Sequence, residues 1–539
     1  MSKSTLLIRQ SFFHRQRRHI AGSSSQQTST SPQRRNVAAP KIAEAVRPFS
    51  EIPGPIALPM LRHSAHVLPR IGSYHHTVGL GLLEGLRDKY GDLVRLAKAS
   101  RTRPVLYVFD PEMMREVYES YSTEPPRFEK SPLCQHRKGV GHGPVHGDET
   151  KAIWAAIRAL LHDGSLLKSY DQAFDEIAAD TTRRLGDLRN AENALNDELE
   201  TEIYRWAIET IGMMIFGIRL GCLDGAVHIP TADNQKPEKT SLDDEIHDLC
   251  SLSKRSLEEL TQAERLVRVS RDIADGSFLV RSEGTLNPDN PTFNSALKAF
   301  DRHFSLTEHF LLQALESLNN GELKPEQALL DKLRPLQRRI LPLAADLLLA
   351  GVNPLAQTAL HMFYQLSLHA ARQQRAHDEV HWSIASREAG CDTPELPYVA
   401  ACAREAMRLH PATGGVVRRN REAIVVGGYE IPAGVDIVLA HGVTSKSESQ
   451  WGRAKAFIPE RWCSEGWEPL KASRAHPLAS MPFGEACPAT GIVGKMLAAL
   501  TTRVLDKYRL EWHGPAPSVA TVGVNRIQPP YYFVLQKAA

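Results

Sequence analysis

The sequence predicts a mainly α protein with a minor β portion, carried by one long domain. Three observations point there. Apolar residues recur at helical spacing from about 150 to 218, 244 to 274 and 292 to 316, and along a longer apolar stretch from about 328 to 369. Strand signals are short, near 93–96, 104–109 and 422–441. No clear linker divides the helices, although 539 residues would ordinarily fill several domains.

In chain order, the Pro-rich segment Ile52-Pro-Gly-Pro-Ile-Ala-Leu-Pro59 reads as a hinge, because proline fixes φ and resists regular structure. A helix from about 81 precedes strands around Leu93–Leu96 and Pro104–Phe109, and the next helix starts at Pro111. Residues 221–243, with Gly, Pro and Asp, read as an exposed connection. A single helix is expected over 328–369, another ending at His410, and a last one over 491–507. The turn Val426-Gly-Gly-Tyr429 and the edge Ile431-Pro-Ala-Gly434 frame the strands near 422–441.

Hydrophobic content of 42% and charged content of 24% suit a globular chain with a sizeable core. The seven cysteines are scattered without a CxxC pair, which fits a reducing compartment better than a disulfide framework. Residues 1–43 hold eight basic residues and no acid, with a Ser/Thr/Gln-rich run from Ser23 to Ser31. That composition reads as a mitochondrial transit peptide ahead of a domain spanning 44–539; a basic tail or nucleic-acid arm is the alternative. Without those eight, the remainder has 57 basic against 62 acidic residues, so the body presents no basic excess for nucleic acid. No run of 18 uncharged apolar residues marks a transmembrane anchor; the most apolar stretch, Ile340 to Leu368, reads as a buried helix.

Several short patterns carry chemistry. Glu405-Ala-Met-Arg408 sets a carboxylate and a guanidinium on one helical face, by itself an ordinary surface pair. Leu-His-Pro411 follows it, and further on comes Phe457-Ile-Pro-Glu-Arg-Trp462. Upstream, Trp154-Ala-Ala-Ile-Arg158 aligns an indole with a guanidinium at i and i+4. Arg418 stands seven residues after Pro411, and Pro482-Phe-Gly-Glu-Ala-Cys487-Pro lies near the C-terminal helix.

In this order the segments resemble the cytochrome P450 family, over about residues 50–539. The resemblance implies the cytochrome P450 fold, with heme b between the long central helix and the Cys-ligand loop and Cys487 as iron ligand. It implies that Trp154, Arg158 and Arg418 bind heme carboxylates, and that Glu405, Arg408 and Arg461 form a buried structural network. It implies hydroxylation of a hydrophobic, steroid-like substrate with dioxygen. A leader without an anchor points to the family's mitochondrial group, peripheral on the matrix side of the inner membrane. That group takes electrons from a small acidic, adrenodoxin-like ferredoxin and its reductase, and Arg404 matches one of its docking positions. The stretch from Tyr204 to Gly217 and Pro459-Glu-Arg-Trp-Cys463 look most like arthropod hydroxylases of ecdysteroid synthesis.

The chain also departs from the pattern. The cysteine loop is three residues short, and Glu485 stands where an arginine is usual. Ungapped alignment from Phe483 would put Thr490 at the ligand position, whereas Tyr508, 21 residues past Cys487, keeps the family register with Cys487. Near propionates Glu485 would repel unless it turned outward. On the central helix, Ala350-Gly-Val-Asn353-Pro354-Leu355 replaces the family's acid and threonine with Asn353 and Pro354; Thr358, one turn on, is a candidate substitute hydroxyl. Ala400 occupies a second docking position that is usually basic. These departures set a second reading beside the enzyme: a catalytically impaired relative that binds heme or a sterol. Cys487 as an inert buried thiol is the corresponding alternative for the loop.

Overall fold

The computed structural model describes residues 46–539 except 56–78, 97–102, 126–130, 142–147, 196, 226, 228–259, 282–290, 391–394, 486 and 539. The leader read from residues 1–43 lies outside the described residues. Val46–Ala539 clusters as one compact unit.

The first half contains β1 (Arg47–Pro48), α1 (Leu80–Tyr90), β2 (Leu93–Leu96), β3 (Val105–Val108), α2 (Pro111–Glu119), β4 (Thr123–Glu124) and α3 (Pro132–Gly139). Four helices follow: α4 (Asp148–Leu160), α5 (Gly164–Ser169), α6 (Asp171–Asp187) and α7 (Glu198–Phe216). Then come α8 (Gln262–Arg281), α9 (Pro291–Asn320), α10 (Ala328–Leu333), α11 (Ile340–Leu368), α12 (Ala370–Glu388) and α13 (Pro397–Leu409). The chain closes with β5 (Val416–Asn420), β6 (Ile424–Val426), β7 (Tyr429–Ile431), β8 (Asp436–Leu439), α14 (His441–Thr444) and α15 (Ile492–Lys507). Four C-terminal strands follow: β9 (Tyr508–Trp512), β10 (Val519–Val522), β11 (Val524–Ile527) and β12 (Phe533–Lys537).

Local chemistry sets several boundaries. Asp110 accepts from the Met113 amide at 3.0 Å and Pro111 sits at the first helical position, so α2 starts there. The five-stranded sheet runs β2-β3-β8-β5-β4, with β3 parallel to β8 and the other pairs antiparallel. Leu83 and Leu86 of α1 close one side of it over Val94, Phe109 and Ala440.

The helical core gathers α6, α7, α11, α13 and α15 around Tyr170, Trp206, Leu360 and Leu500. Buried on nearly every side, α7 carries its charged groups only where partners satisfy them. Glu202 pairs with Arg184 at 2.6 Å, and Glu209 accepts from the amides of Leu220 and Cys222, each at 2.8 Å.

The structure revises four expectations. The 328–369 segment is not one helix: Pro335 lies in a 3₁₀ turn whose Gln337 has φ 47°, and α11 begins only at Ile340. The helix ending near His410 is the second of two, because Gly390 closes the preceding turn at φ 77° and Pro397 starts α13. Cys222 and Leu223, at the start of the expected exposed connection, are buried while Asp224 and Gly225 are exposed; its remainder from 228, and the helical reading over 244–259, lie outside the described residues. Finally, β9 pairs with β12 and β10 with β11, strands the sequence reading did not place. By length and composition Pro325–Leu368 would cross a membrane, yet 56% of its most apolar window is buried inside the protein.

Candidate heme-binding site

Glu405 and Arg408 of α13 meet Arg461 in a fully buried cluster. Arg408 donates to both Glu405 oxygens at 2.7 and 2.8 Å, and Arg461 Nε donates to Oε1 at 3.1 Å. The Ile458 amide and Trp462 Nε1, both at 3.0 Å, complete the shell of this carboxylate. Arg408 further donates to the carbonyls of Ser445 and Ala454, at 2.6 and 2.7 Å. Burial of three charges is tolerable because nearly every N–H and lone pair has a partner. Trp462 is a member that sequence reasoning missed, since only the 3₁₀ turn Pro459–Trp462 swings its indole onto Glu405.

The cysteine segment is built from two turns. The Gly484 amide donates to Met481 O at 3.1 Å, with Gly484 at φ 57° where a Cβ would meet Val416 at 3.1 Å. Cys487 then heads the 3₁₀ turn Pro488–Thr490 and is half-buried. Thr490 is exposed and its hydroxyl donates back to the Cys487 carbonyl at 3.3 Å, so it is turned onto its own loop. Helix α4, bearing half-buried Trp154 and Arg158, packs on this 3₁₀ turn. The contact is close: a Cβ on Gly491 would come within 2.9 Å of Leu161 O.

Arg418 reaches the same loop from β5. Its Nη1 donates to Glu485 at 2.7 Å, its Nη2 to Thr123 O at 3.1 Å, and the guanidinium lies 5.7 Å from the Tyr118 ring centre. Glu485 therefore does not turn outward; it faces the arginine. Burial raises its carboxyl pKa against the pull of Arg418 and Arg158. Burial likewise raises the Cys487 thiol, opposed by the Ala489 amide and by Arg158. Arg158, Arg418, Glu485 and Cys487 thus form one electrostatic group drawn from three segments.

On α11, Tyr204 of α7 donates to Asn353 Oδ1 at 2.5 Å. Thr358 is buried and its hydroxyl donates to the Pro354 carbonyl at 2.7 Å, a local bond one turn back. Ala350 is exposed and Gly351, Asn353 and Pro354 are half-buried, while Leu348, Val352 and Leu355 between them are buried. One side of this core helix is thereby open. Arg404 is exposed on α13 between buried Ala403 and Glu405.

The Cytochrome P450 family model matches residues 66–534. This chain belongs to the cytochrome P450 family. Members are monooxygenases that hold heme b through a cysteine thiolate, and the mainly α architecture with a minor β portion is theirs. Among similar proteins, probable cytochrome P450 49a1 of Drosophila melanogaster is 25% identical over 87% of this chain and 80% of its own. Probable cytochrome P450 301a1, mitochondrial, of the same fly is 24% identical over 88% and 84%. The 25-hydroxyvitamin D-1 alpha hydroxylase, mitochondrial, of Rattus norvegicus is 26% identical over 74% and 76%. Several relatives of this P450 are thus named mitochondrial.

The residues of this P450 fit the cofactor. A thiol, an indole and two guanidiniums from three segments suit an iron porphyrin with two carboxylates. Arg418 Nε is buried without a hydrogen-bond partner, so the clamp keeps donor capacity beyond Glu485 and Thr123.

Proposed function

We propose that this P450 hydroxylates a hydrophobic, steroid-like substrate in mitochondria, with Cys487 as the iron ligand. The observation that carries the reading is the convergence of Arg158 and Arg418 on the loop of Cys487. When bound, heme supplies dioxygen activation and insertion of one oxygen atom into a C–H bond.

The chain's own groups divide the remaining work. Burial disfavours the charged form of Cys487, and the Ala489 amide and then Arg158 work against that effect. Trp154, Arg158 and Arg418 serve as donors to the two propionates. Glu405, Arg408 and Arg461 hold the segment leading into the cysteine loop. Tyr204 occupies Asn353 Oδ1, so Asn353 offers chiefly amide N–H groups for orienting water. Pro354 brings no hydroxyl, and Thr358 is the hydroxyl nearest in sequence, although its proton is engaged with Pro354 O.

The steroid-like substrate draws support from the relative named as a vitamin D hydroxylase and from the sequence resemblance to ecdysteroid hydroxylases. Residues 1–43 act as transit peptide to a P450 domain over 44–539, peripheral on the matrix side of the inner membrane. Electrons come from an adrenodoxin-like ferredoxin and its reductase, with exposed Arg404 as one docking point. Heme or sterol binding without turnover gains no support from the relatives.

The test is the visible spectrum of the reduced, carbon-monoxide-bound protein beside Cys487→Ser. A strongly red-shifted band that the variant loses supports thiolate ligation by Cys487. An unshifted band, or no heme uptake by either protein, sinks the assignment.

A further inference from the structure

We propose that Glu485 sits on the Arg418 clamp in the place of a heme propionate, so that this P450 holds its cofactor against an internal carboxylate competitor. The inference rests on the assignment of Arg158 and Arg418 as propionate partners made above.

The turn, and not a freely swinging side chain, delivers the carboxylate. Gly484 takes φ 57° and its amide closes onto Met481 O at 3.1 Å, which fixes the backbone immediately before Glu485. The space where a Cβ would stand at Gly484 is bounded at 3.1 Å by Val416, which shares β5 with Arg418. Loop and strand are therefore packed together where the ion pair forms. Arg418 is anchored on its other branch by Thr123 O at 3.1 Å and is only 11% exposed, so it cannot follow a ligand elsewhere at small cost.

Glu485 is 36% exposed and uses a single 2.7 Å contact, and Arg158 acts electrostatically on the same carboxyl. The two cations assigned to an incoming dianionic porphyrin are thus already answering one anion. A propionate must either displace Glu485 from Arg418 or share the arginine with a like charge. Both alternatives weaken the clamp. Solvent reaches the pair through the partly exposed Glu485 and screens it, so the effect is modest and not prohibitive.

The test uses the full chain and its Glu485→Gln variant, each loaded with heme or with heme dimethyl ester, whose propionates carry no charge. Cofactor release is followed as transfer of the porphyrin to excess apomyoglobin. The expected result is release of heme about two- to fivefold slower from Glu485→Gln, the range set by a partly exposed ion pair. With the dimethyl ester the two proteins release at one rate. Equal rates with heme itself overturn the competition and leave the heme-site assignment standing. A rate difference that persists with the ester also overturns it, because the substitution then acts through loop packing. Failure of both proteins to take up heme removes the site assignment and this inference together. Glu485→Ala provides a second variant, with the same expectations, should the glutamine protein not fold.

Discussion

The Tyr204 hydroxyl donates to Asn353 Oδ1 at 2.5 Å, joining α7 to α11 across 149 positions of sequence. Tyr204 is completely buried and Asn353 half-buried, so the bond connects the core to the open side of the central helix. Tyr204→Phe removes the donor and leaves the amide oxygen to find another. Stability is expected to fall by about 1–3 kcal/mol, with heme content unchanged. Urea unfolding and the heme absorbance of the purified variant measure the two. Loss of heme at full stability would contradict the role assigned to this pair.

The Glu405 cluster is expected to be far less tolerant. Its carboxylate receives donors from Arg408, Arg461, the Ile458 amide and half-buried Trp462, and the two guanidiniums are buried. Glu405→Ala strands two buried guanidiniums and should cost about 3–5 kcal/mol. Soluble yield and the urea midpoint report it. A change below about 1 kcal/mol would mean the cluster is not the internal fastening described above.

Pro354 gives a prediction of opposite sign. Its ring lacks the N–H that would bond the carbonyl one turn back, in the interior of a 29-residue helix. Pro354→Ala restores that donor, and the stabilisation should lie between zero and about 3 kcal/mol, the interior cost of proline. Thermal unfolding measures it. A lower melting temperature would show that the local backbone is shaped around the ring.

Acid should destabilise the protein through its buried histidines. His303, His361 and His441 are pushed down to about 4 by burial, and His410 well below its ordinary value by burial and then by His361, Lys446 and Arg408. His361 and His410 stack with ring centres 4.5 Å apart, so charging either is opposed by the other. Because the folded-state values lie below the ordinary 6.5, their contribution is intact above that pH and is lost as pH falls toward 4. Each unit of depression corresponds to about 1.4 kcal/mol. The urea midpoint should therefore hold steady from pH 7.5 to 6.5 and decline below, and His361→Phe should flatten part of the decline. An unchanged slope in that variant would refute the assignment.

The sequence by itself determined the helix-rich class, most helix positions and the family, and it singled out the candidate site residues. Those properties are written in local periodicity and short-range spacing: Glu405 with Arg408, Trp154 with Arg158, Asp110 before Pro111. Even the break between α12 and α13 was locally signalled, by Gly390 and Pro397. The strand β9 was not placed from sequence, although Tyr508-Arg-Leu-Glu-Trp512 alternates in the period of two; its pairing with β12 shows it. Tertiary structure alone decided that Glu485 faces Arg418, that Tyr204 holds Asn353, and that Trp462 closes the shell of Glu405. Each of these joins residues far apart in sequence, and no local pattern encodes such a distance. Charge complementarity within a packed interior selects the partner, and only the folded chain brings the candidates within reach.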